Sequence, residues 1–294
     1  MPDAFDASLN PKSVETLPTP EPSPQPPPDP WLGRRRVEFI QQCLPLWEWL
    51  YRHYFRVETQ GWQHVPPAGQ SALFVGSHNG GLASPDTVMM MVDWFRRFGP
   101  ERPIYGLMHP KVWQASPPLA AIAEWCGAIE AQPKLAIAAL QSGASVLVYP
   151  GGSRDVFRPH RDRGKIQLAG HQGFIKIALR QQVPIIPVIS SGAHDTLIVL
   201  EDLYPLVKQL NQWGMPWLMG IDPEVFPVYL GLPWGLGIGP IPNLPLPVPI
   251  KTQVCAPIMF EWYGREAAQD RSYVQNCFER VQQEMQQALD RLMN

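Results

Sequence analysis

The amino-acid sequence predicts an α/β protein whose sheet is mostly parallel and is flanked by helices. Short runs rich in β-branched residues alternate with helical stretches along most of the chain, a pattern typical of strands joined by helical crossovers. The composition also fits a folded domain, because 45% of the 294 residues are hydrophobic. A wholly disordered chain would be much poorer in such residues.

The predicted elements follow one another from residue 57 to residue 294, which we interpret as one domain. The predicted strands are Ala72–Val75, Ile104–Leu107, Val146–Tyr149, Val183–Ile189 and Thr252–Ile258. The predicted helices between them are Thr87–Phe98, Leu119–Cys126, Lys134–Ser142, Gln167–Gln181 and Leu200–Trp213. The last segment, Glu266–Met293, carries apolar residues at helical spacing and predicts a terminal helix packed on the rest.

The chain before this domain divides into two parts. Residues 1–30 hold ten of the 35 prolines and predict a disordered tail. Residues 31–56 begin with three arginines from Arg34 to Arg36 and continue with an apolar stripe that includes Trp47 and Tyr54. Aromatic residues beside arginine are typical of an amphipathic helix at a membrane interface. A helix packed on the domain by the same stripe is the alternative, and both can hold for different parts of it.

Charge and cysteine usage exclude several classes of protein. A formal net charge of −2 argues against nucleic acid as a main partner. The four cysteines have no metal or disulfide spacing, so we expect a cytoplasmic, reducing compartment. The sequence shows no secretory signal and no apolar run that predicts a membrane-spanning helix. The uncharged stretch Phe226–Ile250 is interrupted by seven prolines and cannot be one helix.

A loop with the residue types of an acid–base site follows the strand Ala72–Val75. It contains His78, Gly80 and Gly81, and it ends at Asp86, where the next helix begins. A histidine can act as a general base near neutral pH, and a neighbouring carboxylate fixes its tautomer and stabilises the imidazolium. The loop therefore predicts His78 and Asp86 as a catalytic pair, with a tight structural connection as the alternative.

A second glycine loop follows the strand Val146–Tyr149 and reads Pro-Gly-Gly-Ser-Arg-Asp from residue 150 to residue 155. Adjacent glycines can expose backbone N–H groups to an anion or oxyanion, and Arg154 adds a charged donor. The residues predicted to contact substrate or an oxyanion are Gly80, Gly81, Gly151, Gly152, Ser153, Arg154 and Asp155. We interpret the basic residues that follow, from Arg158 to Lys165, as a solvated loop.

Other kinds of catalytic site fit the sequence less well. The seven histidines show no metal-ligand spacing, so no metal site is predicted. A serine esterase comes closer, because His78–Gly81 imitates an oxyanion loop and Gly151, Gly152 and Ser153 begin a G-x-S-x-G motif. Asp155 stands where that motif needs its last glycine, so the strained turn that exposes a nucleophilic serine is not encoded.

With the two loops in this order, the chain resembles the lysophospholipid acyltransferase superfamily from about Tyr54 to its end. The segments that carry the resemblance are residues 57–69, 73–78 (Leu-Phe-Val-Gly-Ser-His), 147–154 (Leu-Val-Tyr-Pro-Gly-Gly-Ser-Arg) and 183–188 (Val-Pro-Ile-Ile-Pro-Val). The family usually separates its His and Asp by four residues, but position 83 is Ala here. The pairing of Asp86 with His78 is therefore a hypothesis. Enzymes of the family with phosphate-bearing acceptors have a glutamate where this chain has Gly151. In this position the chain is similar to the diacylglycerol and phytyl-ester acyltransferase branch.

The resemblance implies a lipid O-acyltransferase with a glycerolipid-acyltransferase-like fold. It would move a fatty acyl group from acyl-CoA or acyl carrier protein to a hydroxyl of a glycerolipid or long-chain alcohol. In the implied mechanism His78 takes the hydroxyl proton, Asp86 orients the imidazole, and loop donors hold the oxyanion. No cofactor is expected beyond the acyl thioester co-substrate. A lipid esterase, or a lipid-binding relative that has lost catalysis, is the alternative.

A lipid substrate gives the uncharged stretch Phe226–Ile250 a possible meaning. With Trp234 in it, the stretch is a candidate surface for peripheral membrane contact, beside Arg34–Phe55; a buried apolar loop is the alternative. The methionine-rich helix Thr87–Phe98 could line an acyl channel, although an ordinary core helix is favoured.

Overall fold

The computed structural model describes residues 30–217, 220 and 222–294, so the proline-rich segment 1–29 lies outside the described residues. The main sheet has the strand order β1-β10-β6-β2-β5-β3-β4. Its strands are β1 Glu58–Gln60, β2 Leu73–Gly76, β3 Ile104–Met108, β4 Ala128–Glu130, β5 Ser145–Val148, β6 Ile185–Ser191 and β10 Lys251–Val254. All neighbouring strands are parallel except β10 and β6. The predicted fold class, an α/β protein with a mostly parallel sheet, is confirmed.

Helices cover both faces of this sheet. They are α1 Val37–Trp49, α2 Pro85–Phe98, α3 Lys111–Ala115, α4 Pro117–Trp125, α5 Pro133–Gln141, α6 Gly152–Val156, α7 Gly173–Gln181, α8 Tyr204–Gln212, α9 Arg265–Gln269 and α10 Arg271–Met293. Side chains of β2 alternate between two cores: Leu73 and Val75 pack with α5, α7 and α10, whereas Phe74 packs with α1 and α2. Because β2 is buried on both faces, its sequence is a continuous apolar run.

A second, antiparallel sheet consists of β7 Ile198–Asp202, β8 Pro227–Gly231 and β9 Gly235–Ile238. The predicted helix Leu200–Trp213 is therefore wrong at its beginning. Its first residues form the end of β7, and α8 begins only at Tyr204, with proline in its first turn. Proline favours such a helix start, so the strand can end directly before it.

The other differences from the predicted elements concern boundaries and very short strands. The predicted helix Gln167–Gln181 begins at Gly173. The terminal segment is divided at Asp270, whose carboxylate accepts a hydrogen bond from the backbone N–H of Tyr273 and caps α10. The three-residue strands β1 and β4 carry too few residues to show an alternating pattern.

The segment at 31–56 is helical and belongs to the same core as the domain. Ile40, Tyr51 and Phe55 are buried, whereas Leu46 and Trp49 are exposed. The packed-helix alternative thus holds for one side of the stripe. The arginines at its beginning have partners in the domain: Arg34 pairs with Glu124, Arg35 donates to the Pro100 carbonyl, and Arg36 stacks on Trp125. No described helix combines the length and apolar character needed to cross a bilayer.

Candidate active site

His78 lies directly after β2, at the edge of the sheet where the neighbouring parallel strand β5 also ends. Its ring stacks on Tyr149, with 4.5 Å between ring centroids and an interplanar angle of 26°. Gly76 makes room for this arrangement, because a methyl group on it would lie 2.3 Å from the Tyr149 ring. Ligands in open α/β sheets bind at this edge, so the position fits a substrate site.

The imidazole of His78 is oriented by Asp86. The distance from His78 Nδ1 to Asp86 Oδ2 is 3.1 Å. Asp86 is itself fixed at the start of α2, because it accepts hydrogen bonds from the backbone N–H groups of Asn79 (2.8 Å) and Thr87 (2.7 Å). The contact expected from the sequence between His78 and Asp86 is therefore present, although the residues' catalytic role stays a prediction.

The other ring nitrogen of His78 is placed to act on a ligand. With a proton on Nδ1 facing Asp86, Nε2 carries the lone pair. Nε2 lies 3.4 Å from Ser84 Oγ, which also donates to the Gly81 carbonyl over 3.1 Å. The His78 side chain keeps 19% of its surface exposed.

The surroundings raise the pKa of His78 above its usual value of 6.5. Burial alone would lower the pKa, but the charge of Asp86, the hydrogen bond to it and the charge of Asp155 together outweigh burial. A raised pKa makes the imidazole a stronger base, because its conjugate acid is more stable after proton uptake.

Asp155 holds the His78 loop through hydrogen bonds to Ser77 and to the backbone of His78. Its carboxylate accepts from the backbone N–H of His78 (2.5 Å) and from Ser77 Oγ (3.2 Å), and it pairs with Arg158. The side chain is completely buried. Contact of Asp155 with substrate stays a prediction; in this structure both of its oxygen atoms have partners inside the protein, and one of these partners is the backbone of His78.

Arg158 is buried, whereas the sequence predicts that it belongs to a solvated basic loop. Its side chain is 1% exposed. Besides Asp155 it contacts Asn79, donating to Oδ1 over 3.0 Å. The same Asn79 oxygen accepts from His194 Nδ1 over 3.1 Å. Burial, Arg158 and His160 lower the pKa of His194 to about 3, so this imidazole stays neutral. The network clamps the loop that carries His78 to α6 and to residue 194.

The second glycine loop is used mostly for structure. Gly151 is buried, and a methyl group on it would lie 2.2 Å from the Gln167 carbonyl oxygen. Gly152 donates its N–H to the Tyr149 carbonyl. Ser153 donates to Glu224 Oε2 over 3.1 Å, while Arg154 is exposed. Among the described residues no hydrogen bond joins Ser153 or Arg154 to His78 or Asp86, and the contact of Gly151 with substrate stays a prediction for a residue that is buried here.

Gly80 and Gly81 remain as candidate oxyanion donors. Both have positive φ angles, +85° and +66°, which favour glycine. Within the part of the chain that the structure describes, neither backbone N–H donates to an acceptor. Two successive free N–H groups beside a histidine can bind the charge that develops in acyl transfer.

Several residues of the site were missed by sequence reasoning. They are Ser77, Asn79, Ser84, Thr87, Tyr149, Arg158 and His194. The position of Asn79 next to His78 was a usable signal. The three-residue separation of Asp155 and Arg158 was another, since side chains three positions apart in a helical turn can meet. Nothing in the local sequence indicates that His194, 116 residues after His78, packs on the loop.

Neither a metal cluster nor a large cleft competes with this site. No group of three potential metal ligands occurs among residues 30–217, 220 and 222–294. A cleft lined by Gly69, Arg97, Arg102 and Gly143 lies before the strands β2, β3 and β5 begin. It is thus at the opposite end of the sheet from His78.

The sequence model of the diacylglycerol acyltransferase family matches residues 112–275, which is more than half of the chain. The chain belongs to the diacylglycerol acyltransferase family. The matched part of this family's pattern includes the loop from Pro150 to Asp155. It begins after His78 and Asp86, so the assignment of those two residues depends on their geometry.

Similar proteins are found in mycobacteria. An uncharacterized protein of Mycobacterium tuberculosis is 28% identical over 249 residues, which cover 85% of this chain and 65% of that protein. An uncharacterized protein of Mycobacterium leprae is 26% identical over 249 residues and is covered to 63%. The chain thus spans less than two thirds of the length of these relatives.

Among solved structures, the chain is similar to the crystal structure of the 1-acyl-sn-glycerophosphate (LPA) acyltransferase, PlsC, from Thermotoga maritima. The TM-score is 0.48 at 15% sequence identity, and the match covers 87% of this chain and 78% of that one.

Proposed function

We propose that this protein is a lipid O-acyltransferase that uses His78 as its general base. It transfers a fatty acyl group from an acyl thioester to the hydroxyl of a glycerolipid or long-chain alcohol. The observation that carries the proposal is the His78–Asp86 pair at the carboxyl edge of the sheet, 3.1 Å apart, with free N–H groups of Gly80 and Gly81 in the same loop. Membership in the diacylglycerol acyltransferase family supports the reaction class.

The proposed reaction needs only proton transfers and one acyl transfer. His78 Nε2 removes the proton of the acceptor hydroxyl while its oxygen attacks the thioester carbonyl carbon. The N–H groups of Gly80 and Gly81 donate to the oxyanion of the tetrahedral intermediate. The carbon–sulfur bond then breaks, and the leaving thiolate takes the proton back from the imidazolium. The products are an ester and a free thiol, and His78 is again neutral.

We further propose that the protein works at a lipid bilayer, which it contacts through the outer face of the small sheet. The register places Ile198, Leu230 and Leu236 side by side on that face, with Val228 opposite Ile238 in the next row. The inner face carries Tyr229, which is fully buried in the core. An antiparallel sheet with one covered face normally presents polar residues on the other. The part of the outer face that β8 and β9 form is apolar, and Leu230, Leu236 and Ile238 are exposed there, whereas Glu201 of β7 lies opposite Val228 at its border.

The charges around this face favour a phospholipid surface as its partner. No residue from 226 to 250 is charged, and Trp234 at the hairpin turn is 57% exposed. Exposed cations border the segment at its end: Arg56 donates to the Pro247 carbonyl over 2.8 Å, and Lys251 follows directly. Apolar and aromatic residues flanked by cations match the acyl region and the phosphates of a bilayer surface.

The reaction is tested by following the fate of a labelled acyl-CoA. The purified protein is incubated with labelled oleoyl-CoA and, separately, with 1,2-dioctanoylglycerol, phytol or lysophosphatidate in mixed micelles. A transferase forms labelled ester only when acceptor is present and releases thiol in equal amount. Free labelled fatty acid as the main product would instead indicate an esterase. Retention of acceptor without ester or acid would indicate a lipid-binding protein. Acyl carrier protein loaded with oleate replaces oleoyl-CoA in a parallel series.

A further inference from the structure

Asn243 is a buried residue whose polar atoms have no partner. Its side chain is 8% exposed, and in the part of the chain that the structure describes neither Oδ1 nor Nδ2 forms a hydrogen bond. A buried carboxamide without partners costs free energy, and buried polar groups are paired in the great majority of proteins. A partner from outside the chain is therefore expected, and it must displace a neighbouring group, because both atoms are almost fully shielded from solvent.

The Asn243 side chain adjoins the catalytic loop. A methyl group on Gly81 would lie 2.8 Å from Asn243 Oδ1 and 2.5 Å from Leu197 Cδ2. The Gly81 carbonyl accepts from Ser84 Oγ, and the same hydroxyl lies 3.4 Å from His78 Nε2. Asn243 and the reactive nitrogen of His78 thus both lie beside the short loop from Gly81 to Ser84.

The backbone on either side of Asn243 is held in place. The Leu244 N–H donates to the Leu232 carbonyl over 2.8 Å. The Leu246 N–H donates to the Thr196 carbonyl over 2.8 Å, and the Trp234 indole donates to the Pro242 carbonyl. A carboxamide fixed by its backbone loses little conformational entropy when a ligand binds, so the position is preorganised for a ligand.

The chemistry around Asn243 selects a neutral ligand with an apolar body. A carboxamide donates and accepts at once, which suits a hydroxyl or an ester and gives no charge to hold a phosphate. Leu197 and Phe157 lie beside Gly81 at the same point. Leu244 next to Asn243 is exposed, on the apolar surface that we propose to face the bilayer.

We propose that the carboxamide of Asn243 binds the neutral polar group, a hydroxyl or an ester, of the lipid acceptor. The inference rests on the proposed function, since it concerns the acceptor of that reaction. Asn243 is a specificity-determining residue in this account: it favours neutral acceptors such as diacylglycerols or long-chain alcohols, and it places their hydroxyl towards His78.

The test measures equilibrium binding of 1,2-dioctanoylglycerol in micelles to the His78→Ala protein, in which turnover is not needed. Asn243→Leu is added to it, and Asn276→Leu, an exposed position on α10, is the matched control. We expect Asn243→Leu to weaken binding about tenfold or more, equivalent to about 1.4 kcal/mol, and the control to leave it unchanged. We also expect Asn243→Leu to unfold at a temperature no lower than the control, because it removes unpaired buried polar atoms.

Unchanged binding by Asn243→Leu would overturn the inference and indicate that only water occupies the site. A lowered unfolding temperature would overturn it too, since Asn243 would then stabilise the fold. If the leucine variant does not fold, Asn243→Ala decides by the same binding measurement. Binding that depends on Asn243 in a protein that forms no ester would leave this inference standing and contradict the proposed function. Ester formation with an unaltered acceptor KM in Asn243→Leu would support the proposed function and overturn this inference.

Discussion

Seven residues separate His78 from Asp86, against four in the family that the sequence resembles, yet their side chains are within hydrogen-bond distance. The loop absorbs the extra residues in a tight turn at 81–83, with left-handed φ angles at Gly80, Gly81 and Ser84. For Ser84 this conformation costs roughly 1 kcal/mol. The sequence showed the two residues and their types. It could not show that a strained turn would bring them together.

At the residue scale, the pH dependence of catalysis tests the partnership of His78 with Asp86. The base must be neutral to accept a proton, and its pKa is raised above 6.5. We therefore expect kcat/KM to fall as the pH drops through a value above 6.5. Asp86→Asn removes the charge that raises the pKa, so the acidic limb of the profile should move to lower pH. The plateau should fall at least tenfold because the tautomer is no longer fixed.

The measurement is the kcat/KM profile of both proteins between pH 5 and pH 9, with Glu58→Gln, an exposed position on β1, as the control. An unshifted acidic limb in Asp86→Asn would show that Asp86 does not set the pKa of His78.

The contribution of His78 to the stability of the fold depends on pH in the opposite direction from its activity. A raised histidine pKa stabilises the folded state most below the unfolded pKa, and this contribution is lost as the pH rises through the folded pKa.

At the element scale, the sequence predicted the elements that place the site but not those that cover it. β2 and β5 are continuous apolar runs followed by glycine loops, and α2 begins at a proline. These signals are local. The small sheet was missed because α8 separates β7 from β8, so that these two strands pair at long range, and because its outer face lacks the polar alternation that predicts a surface strand.

The buried contact between α6 and the His78 loop gives a prediction at this scale. Arg158→Met leaves Asp155 buried without its charged partner, which typically costs about 3–5 kcal/mol of folding free energy. We expect a lower urea midpoint and lost activity, and a partial recovery of stability when Asp155→Asn is added. Equilibrium urea unfolding measures both. The control is Arg161→Met, in the exposed part of the same basic run, which should have the urea midpoint of the wild type. A wild-type midpoint for Arg158→Met would show that the network does not stabilise the fold.

At the scale of the whole molecule, the proposed reaction site and the proposed bilayer surface are adjacent. Gly81 of the catalytic loop contacts Leu197, which directly precedes β7. Segment 240–250 then leads from the hairpin back to the main sheet. A lipid that leaves the bilayer along β8, β9 and segment 240–250 would meet no charged residue of these elements, since residues 226–250 carry no charge.

Flotation with liposomes tests this arrangement. We expect the wild type to float with vesicles of phosphatidylcholine and phosphatidylglycerol, because apolar burial and cation attraction both favour binding. Leu236→Glu and Trp234→Glu place charges on the outer face and should reduce the bound fraction several-fold. Met259→Glu, equally exposed but far along the chain from the hairpin, is the control. Equal flotation of all variants would place the bilayer contact elsewhere, and concentration-dependent dimers lost in the charged variants would identify the face as a protein interface.

The central claim is that His78 is the base of a lipid acyl transfer. The most direct measurement is the rate of ester formation from oleoyl-CoA and 1,2-dioctanoylglycerol by the wild type and by His78→Ala, with binding of the acceptor measured on the same samples. We predict ester formation by the wild type, a fall of about 10²–10⁴-fold in His78→Ala, and unchanged acceptor binding. Ester formation by His78→Ala at nearly the wild-type rate would contradict the account.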